Sequence, residues 1–143
     1  MKVSDLIQGR KEVFSVKEET SVHETAMYLR DRQVRAVGVL APDGKLVGVV
    51  SQSDISDKVA PENKCPAWMK VSDIMTRELV KVSPEMSLEE CMRLMEKHGI
   101  YHLLVLDQGD KYLGMLSVTD LLQVISSDNK ARADLLQPSL DFL

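Results

Sequence analysis

The sequence has few residues of the kinds that build disulfides, metal sites or nucleic-acid surfaces. Its two cysteines, Cys65 and Cys91, stand apart without a CxxC spacing, and its three histidines share no metal-ligand spacing. Basic residues number 18 against 22 acidic ones, which gives a net charge of −4. A duplex-binding surface needs a basic excess or a basic stripe. These absences predict reduced thiols in a reducing compartment, no bound metal and no nucleic-acid partner.

Long apolar runs are also absent. No stretch approaches the roughly 20 residues that a helix needs to cross a bilayer, and the first residues lack the apolar run of a signal peptide. We therefore expect a cytoplasmic protein with no membrane partner. The composition, with 44% hydrophobic and 28% charged residues, is that of an ordinary globular protein. A chain of this length buries a core without needing a metal or a disulfide.

The most informative feature is an internal repeat. Residues 48–54, Gly-Val-Val-Ser-Gln-Ser-Asp, return 66 positions later as residues 114–120, Gly-Met-Leu-Ser-Val-Thr-Asp. From residue 14 to residue 59 a gapless shift of 66 aligns 46 positions, of which ten are identical. The period is too long for a solenoid and too short for two self-sufficient domains. We expect two units that bury their sheet faces against each other around a pseudo-two-fold axis.

Each copy predicts the order strand, helix, strand, strand, helix. An S-x-x-E capping box, at Ser21 and again at Ser87, precedes an apolar stripe with helical spacing. Two apolar runs around a Pro-Asp-Gly turn at residues 42–44 predict a hairpin, and a helix follows Asp54. The predicted fold is α/β (α+β), with two β-α-β-β-α repeats packed sheet to sheet. The predicted boundaries are 1–60 for repeat 1, 61–69 for a linker, 70–127 for repeat 2 and 128–143 for a tail.

Three side chains outside the repeated motif receive structural interpretations. Cys91 lies beside the apolar stripe of its helix and is predicted to be a core residue. Trp68, in the linker, is predicted to anchor the linker on the core. Lys58, near the end of its predicted helix, is interpreted as a solvated lysine.

The junction of the form Gly, two apolar residues, Ser, two further residues and Asp resembles the CBS domain (cystathionine β-synthase domain). The lead-in Val-Ser-Asp-Ile-Met-Thr at residues 71–76 strengthens the match. Two copies in tandem resemble a Bateman module of the stand-alone class, over roughly residues 1–127. The resemblance implies a homodimer that binds an adenosyl ligand (AMP, ADP, ATP, S-adenosylmethionine or NAD) and regulates an unknown effector protein, with no required cofactor.

The chemistry of the junction is consistent with this ligand class. A helix N-terminus and nearby hydroxyls favour phosphate, an aspartate accepts hydrogen bonds from ribose hydroxyls, and a strand glycine permits close approach. The resemblance adds the residue that opens the second strand, an arginine that pairs phosphate bidentately in repeat 1 and a tyrosine with one hydroxyl in repeat 2. We therefore expect unequal sites, with the first preferring the more charged ligand. The candidate ligand-binding residues are Arg35, Gly48, Ser51, Ser53, Asp54, Tyr101, Gly114, Ser117, Thr119 and Asp120.

Two other interpretations of the junctions remain open. Serine and aspartate at the start of a helix act first as caps, so the alternative function is a structural dimerisation module with degenerate clefts that bind nothing. An enzyme is the third class. Because no nucleophile, base and orienting group occur together in the sequence, we expect no catalysis.

Overall fold

The computed structural model describes residues 1–127. The predicted tail, 128–143, lies outside the described residues. The structure confirms an α/β fold in which the order β-α-β-β-α occurs twice. The elements are α1 (Val3–Ile7), β1 (Ser15–Lys17), α2 (Val22–Arg32), β2 (Ala36–Leu40), β3 (Leu46–Ser51), α3 (Gln52–Lys58), two 3-10 turns (Pro66–Trp68 and Val71–Asp73), β4 (Lys81–Val82), α4 (Leu88–His98), β5 (His102–Leu106), β6 (Tyr112–Ser117) and α5 (Val118–Ser127).

Each repeat forms its own three-stranded sheet. In the first sheet β1 runs parallel to β2, and β2 pairs antiparallel with β3; β4, β5 and β6 repeat this arrangement. The register is duplicated as well. The ladder shifts between Val39 and Leu40 in one sheet and between Val105 and Leu106 in the other, which are equivalent positions. The sequence repeat therefore corresponds to a repeat of backbone geometry down to the position of a bulge.

The long helix of each repeat has the same ends. The hydroxyls of Ser21 and Ser87 accept hydrogen bonds from the third helical residue, at 3.0 and 3.2 Å. At the other end, Gln33 and Gly99 adopt a left-handed conformation, with φ of 56° and 62°. Serine caps and left-handed residues satisfy the backbone groups that a helix end leaves unpaired. The predicted helix starts are thus confirmed.

The compact units are bounded differently from the sequence repeats. The lead-in segments, residues 1–12 before β1 and residues 70–79 before β4, each lie with the sheet of the other repeat. We call Val13–Leu79 the repeat-1 unit, and Met1–Glu12 together with the described residues from Val80 onward the repeat-2 unit. Val3 of α1 is fully buried in the repeat-2 core, and its backbone N–H donates to the carbonyl of Met86 at 2.9 Å. Val71, at the equivalent lead-in position, is fully buried in the repeat-1 core.

The core confirms one of the structural interpretations and corrects another. Cys91 is fully buried in the repeat-2 core beside Met92 and Met95. Burial raises the pKa of the Cys91 thiol to about 12, with a smaller contribution from the negative charge of Glu90. Trp68, by contrast, is 88% exposed, so the prediction that it anchors the linker on its core is wrong. The short 3-10 turn at Pro66–Trp68 directs the indole away from the repeat-1 core.

The difference between the two thiols predicts their reactivity. The thiolate is the reactive form, and a thiol with a pKa of about 12 has on the order of one thiolate in ten thousand at pH 8. We expect Ellman's reagent to label one thiol per folded chain rapidly, the exposed Cys65, and to reach Cys91 only after unfolding. A Cys65→Ser variant should lose the rapid phase. Rapid labelling of two thiols in the folded protein would contradict the buried position of Cys91.

The placement of α1 in the repeat-2 core predicts that the first residues of the chain contribute to stability. Val3→Ala removes two buried carbons and leaves a small cavity, so it should lower the free energy of unfolding by roughly 2 kcal/mol in urea titrations. Val13→Ala makes the same chemical change at a side chain that is 43% exposed. It should change stability by less than about 0.5 kcal/mol. Equal effects from both substitutions would show that α1 does not pack as described.

Candidate functional site

The two candidate sites lie where a strand continues directly into a helix. We call residues 48–54 the first junction and residues 114–120 the second junction. β3 ends at Ser51 and α3 begins at the next residue, while β6 ends at Ser117 and α5 begins at the next residue. Alternate residues of β3 and β6 are buried, as expected for strands with one face on a core. Each serine therefore stands at the rim of its sheet, at the start of a helix.

Within each junction the serine and the aspartate form a reciprocal cap. The Ser51 N–H and hydroxyl donate to Asp54 Oδ2 at 3.0 and 3.2 Å, and the Asp54 N–H donates to Ser51 Oγ at 3.2 Å. The corresponding distances for Ser117 and Asp120 are 2.8, 3.0 and 3.2 Å. The capping role of these residues is therefore real at both junctions. It engages Oδ2 of each carboxylate, and the difference between the junctions lies in the remaining contacts.

At the first junction both oxygens of the aspartate are engaged by the protein. Thr76 Oγ1 donates to Asp54 Oδ1 at 3.2 Å, and Lys58 Nζ lies 2.9 Å from the same oxygen. Lys58 also donates to the Ile74 carbonyl at 2.8 Å. Lys58 is exposed, as expected from the sequence, but it also makes two contacts with the protein. The Asp54 side chain is 11% exposed, and a carboxylate at that depth needs such partners.

At the second junction the aspartate is more exposed and has fewer partners. Its additional partner is Arg10, whose Nη2 donates to Asp120 Oδ2 at 3.1 Å and whose Nη1 donates to the Met115 carbonyl. The Asp120 side chain is 29% exposed. Within the described part of the chain, every donor to this carboxylate reaches Oδ2 and none reaches Oδ1. Asp120 Oδ1 therefore has acceptor capacity that these hydrogen bonds from residues 1–127 leave unused.

The two junction glycines are required for different reasons. A Cβ on Gly48 would lie 2.5 Å from Met75 Sδ and 3.1 Å from the Thr76 carbonyl oxygen. The close approach expected at Gly48 is therefore made by the protein's own chain. Gly114 has φ of 133°, a conformation that side chains rarely adopt, so a substitution there would strain the backbone.

The remaining predicted residues lie beside the helix starts. The carbonyl of Arg35 accepts the Gln52 N–H at 2.9 Å, and the carbonyl of Tyr101 accepts the Val118 N–H at 3.0 Å. Both side chains are exposed, as are those of Ser53 and Thr119. Each junction therefore gathers its five predicted residues at one strand-to-helix corner. Their contact with a ligand stays a prediction.

Sequence reasoning missed the two lead-in residues that reach the aspartates, Thr76 and Arg10. The shift of 66 holds from residue 14 to residue 59, whereas the lead-in residues Val3 and Val71 are 68 positions apart, so no single register of the repeat identifies this pair.

The second junction has Tyr101 where the first has Arg35, but the structure adds an arginine from another segment, since Arg10 lies within hydrogen-bond distance of Asp120. Arg10 belongs to residues 1–12, which lie with the sheet of the second repeat. The order of residues along one repeat does not reveal this placement.

The second junction also borders a cavity of about 390 Å³. Its lining combines apolar side chains with polar groups, as is common in small-molecule sites. The lining residues are Met1, Leu6, Arg10, Asp120, Gln123 and Val124. Among residues 1–127, no three His, Cys, Asp or Glu side chains are grouped so that they could hold a metal ion. No helix in that range combines the length and the apolar character needed to cross a membrane.

Comparison with known proteins finds one domain family matched twice along the chain, in agreement with the two structural repeats. The family model for the CBS domain matches residues 3–61 and again 71–127. Among curated proteins, the chain is 29% identical over 126 residues to an uncharacterized protein of Methanocaldococcus jannaschii, covering 88% of this chain and 40% of that protein. The chain spans 40%, 59% and 24% of the length of three of the curated relatives that it matches.

Solved structures share the fold. A CBS domain protein from Pyrobaculum aerophilum, complexed with AMP, has a TM-score of 0.81 at 23% identity, over 94% of this chain and 98% of that one. A CBS domain pair in complex with 5′-methylthioadenosine and S-adenosyl-L-methionine has a TM-score of 0.76 at 22% identity, over 87% of this chain and 98% of that one. With the family model matched twice, the chain belongs to the CBS domain family and carries two copies of that domain.

Proposed function

We propose that the protein is a regulatory module that binds an adenosyl ligand at its junctions without converting it. The observation that carries this proposal is the Asp120 carboxylate, held by Ser117 at the edge of a cavity of about 390 Å³ with Oδ1 open to a ligand. A carboxylate accepts hydrogen bonds but does not donate them. Two adjacent hydroxyls, as on a ribose, are suitable partners for it.

The groups around Asp120 suit the other parts of such a ligand. The exposed hydroxyl of Thr119, at the start of α5, is the hydrogen-bond donor to phosphate that we propose, because the N–H groups of Val118 and Asp120 are already bonded to Tyr101 and Ser117. Apolar side chains of Leu6 and Val124 line the cavity and offer a surface for a flat base. The proposed ligand-contacting residues of this junction are Tyr101, Gly114, Ser117, Thr119 and Asp120.

The ligands of the structural neighbours support the same class. One neighbour is complexed with AMP and the other with 5′-methylthioadenosine and S-adenosyl-L-methionine. AMP carries a phosphate and the other two carry a sulfur group, so the adenosine portion is what these ligands share. We therefore propose adenosine recognition as the common step, with AMP, ADP, ATP, S-adenosylmethionine and NAD as candidates.

The first junction belongs to the same proposal through Arg35, Gly48, Ser51, Ser53 and Asp54. Its aspartate already has internal partners at both oxygens. A ribose there would compete with Thr76 and Lys58 for Oδ1, whereas at Asp120 it meets an available Oδ1 and competes with the exposed Arg10 for Oδ2. We therefore propose that the second junction is the stronger of the two.

Regulation would follow from a change in arrangement on binding. We propose that the protein acts as a homodimer and that an effector protein responds to the ligand-dependent change. The alternative is a dimerisation module whose clefts bind nothing. The capping bonds at both junctions are compatible with either function, so ligand binding distinguishes them.

A thermal-shift panel tests the proposal. A ligand at 100 times its Kd stabilises the folded state by about 2.7 kcal/mol, which should raise Tm by several degrees for a chain of this size. We expect such a shift with at least one of AMP, ADP, ATP, S-adenosylmethionine and NAD, and chromatography should recover that ligand unchanged. Absence of any shift, checked by calorimetry, would favour the dimerisation module. Turnover of the ligand would contradict a purely regulatory role.

Substitution of the two aspartates should separate binding from stability. Asp120→Asn removes the charge that accepts the ribose hydroxyls, so we expect ligand affinity to fall by about 10- to 150-fold, equivalent to 1.5–3 kcal/mol. Asp54→Asn removes the charge that pairs with Lys58, at a carboxylate that is 11% exposed and accepts hydrogen bonds from Ser51 and Thr76. It should therefore lower the free energy of unfolding, by about 1–3 kcal/mol. Asp31→Asn, at a side chain that is 58% exposed, is the control for both measurements. Unchanged affinity in Asp120→Asn would contradict the proposed role of Asp120.

A further inference from the structure

The lead-in segments meet the two junctions in different ways. In the repeat-1 unit, Thr76 pairs with Val49 through two backbone hydrogen bonds of 2.9 and 2.8 Å, and its hydroxyl donates to Asp54. Arg10 comes from the corresponding lead-in segment of the other repeat, and Met115 is equivalent to Val49. In the repeat-2 unit the Arg10 guanidinium itself donates to the Met115 carbonyl and to Asp120. A side chain therefore makes the contacts that a backbone bridge and a hydroxyl make in the other unit.

This difference makes the contact at the second junction easier to displace. A backbone bridge separates only when its chain segment moves, whereas a guanidinium can leave by rotation about side-chain torsions. The Arg10 and Asp120 side chains are 32% and 29% exposed, and ion pairs in contact with water are weak. The Arg10 side chain therefore has a defined position, but the contacts that hold it are weak enough for a ligand to displace.

The second junction also lacks the cation that holds Asp54. Lys58 approaches Asp54 from the same helix, but the equivalent position in α5 is Val124, which is buried and lines the cavity. Among the described residues, Arg10 is thus the cation that pairs with Asp120. A ligand that displaces Arg10 from this carboxylate must therefore also compensate the positive charge of Arg10.

We propose that Arg10 is a displaceable counter-ion that selects anionic ligands at the second junction. The two ribose hydroxyls donate to both oxygens of Asp120, which displaces Arg10 from Oδ2, and the released guanidinium pairs with a phosphate of the same ligand. This inference rests on the proposed function, because it concerns the same site, and it names a nucleoside phosphate as the preferred ligand class. Arg10 becomes a specificity-determining residue supplied by the segment that follows α1.

The selection follows from the balance of charge. A neutral nucleoside gains the bonds to Asp120 but breaks the ion pair and leaves Arg10 without a charged partner. A nucleoside phosphate breaks the same pair and replaces it, since guanidinium and phosphate form parallel, charge-assisted hydrogen bonds. The serine bonds to Asp120 are unaffected in either case. Removal of Arg10 should therefore have opposite effects on the two ligands.

Calorimetry with AMP and adenosine on Arg10→Gln tests this expectation. Adenosine should bind about two- to fivefold more tightly, because its competitor for Asp120 is gone. AMP should bind about tenfold or more weakly, because its phosphate loses a charged partner. Arg30→Gln makes the same substitution at an arginine that is 74% exposed and should change neither affinity. A merely structural role for Arg10 would weaken both ligands by a similar factor.

A second measurement tests the contact without any ligand. In a double-mutant cycle of Arg10→Gln with Asp120→Asn, the unfolding equilibrium constant should show a coupling of about two- to fivefold. Absence of coupling would overturn the inference whether or not a ligand binds. Binding of AMP by the wild type with an unchanged AMP-to-adenosine ratio in Arg10→Gln would overturn the inference and leave the proposed function intact. Failure of the wild type to bind any adenosyl ligand, with the coupling present, would overturn the proposed function and the ligand role of Arg10 together.

Discussion

The hydrogen bonds between a serine at the end of a strand and an aspartate three residues later organise both repeats. They let β3 continue into α3 and β6 into α5 with no intervening loop. The aspartate must turn back toward the strand to accept the serine N–H, so its carboxylate is held at the rim of the sheet. Because the strand-to-helix corner itself needs this geometry, the fold places a carboxylate at both rims without any contribution from a ligand.

What each carboxylate can do depends on how its charge is compensated. A buried carboxylate is costly unless charged or hydrogen-bonded partners surround it. Asp54 is the more buried, and Lys58 and Thr76 supply those partners. Asp120 retains contact with water, which meets part of the same requirement, and one arginine completes it. The more buried carboxylate, Asp54, therefore has both oxygens engaged by the protein, whereas the more exposed carboxylate, Asp120, has one oxygen engaged by the described residues.

The repeat, the element order and the caps could be predicted from the sequence because each depends on neighbours along the chain. Hairpin runs, serine caps and apolar stripes carry local periodic signals, and the fold confirms them. The contacts of Arg10 and Thr76 depend on lead-in segments that lie with the sheet of the other repeat. No periodicity of one repeat encodes that exchange. The exposed Trp68 was mispredicted for a related reason, since a linker carries no pattern that fixes which way its side chains point.

The shared motif is therefore stronger evidence for a strand-to-helix corner than for a binding site. Gly48 is explained by the approach of Met75 and Thr76, and Ser51 and Asp54 are explained by the cap, with no ligand involved. The contacts of the two carboxylates differ through positions outside the motif, since Arg10 reaches Asp120 and Val124 stands where the other repeat has Lys58. The corner is present in both copies because the fold requires it in both. The flanking positions are less constrained, and their divergence gives the two junctions different contacts.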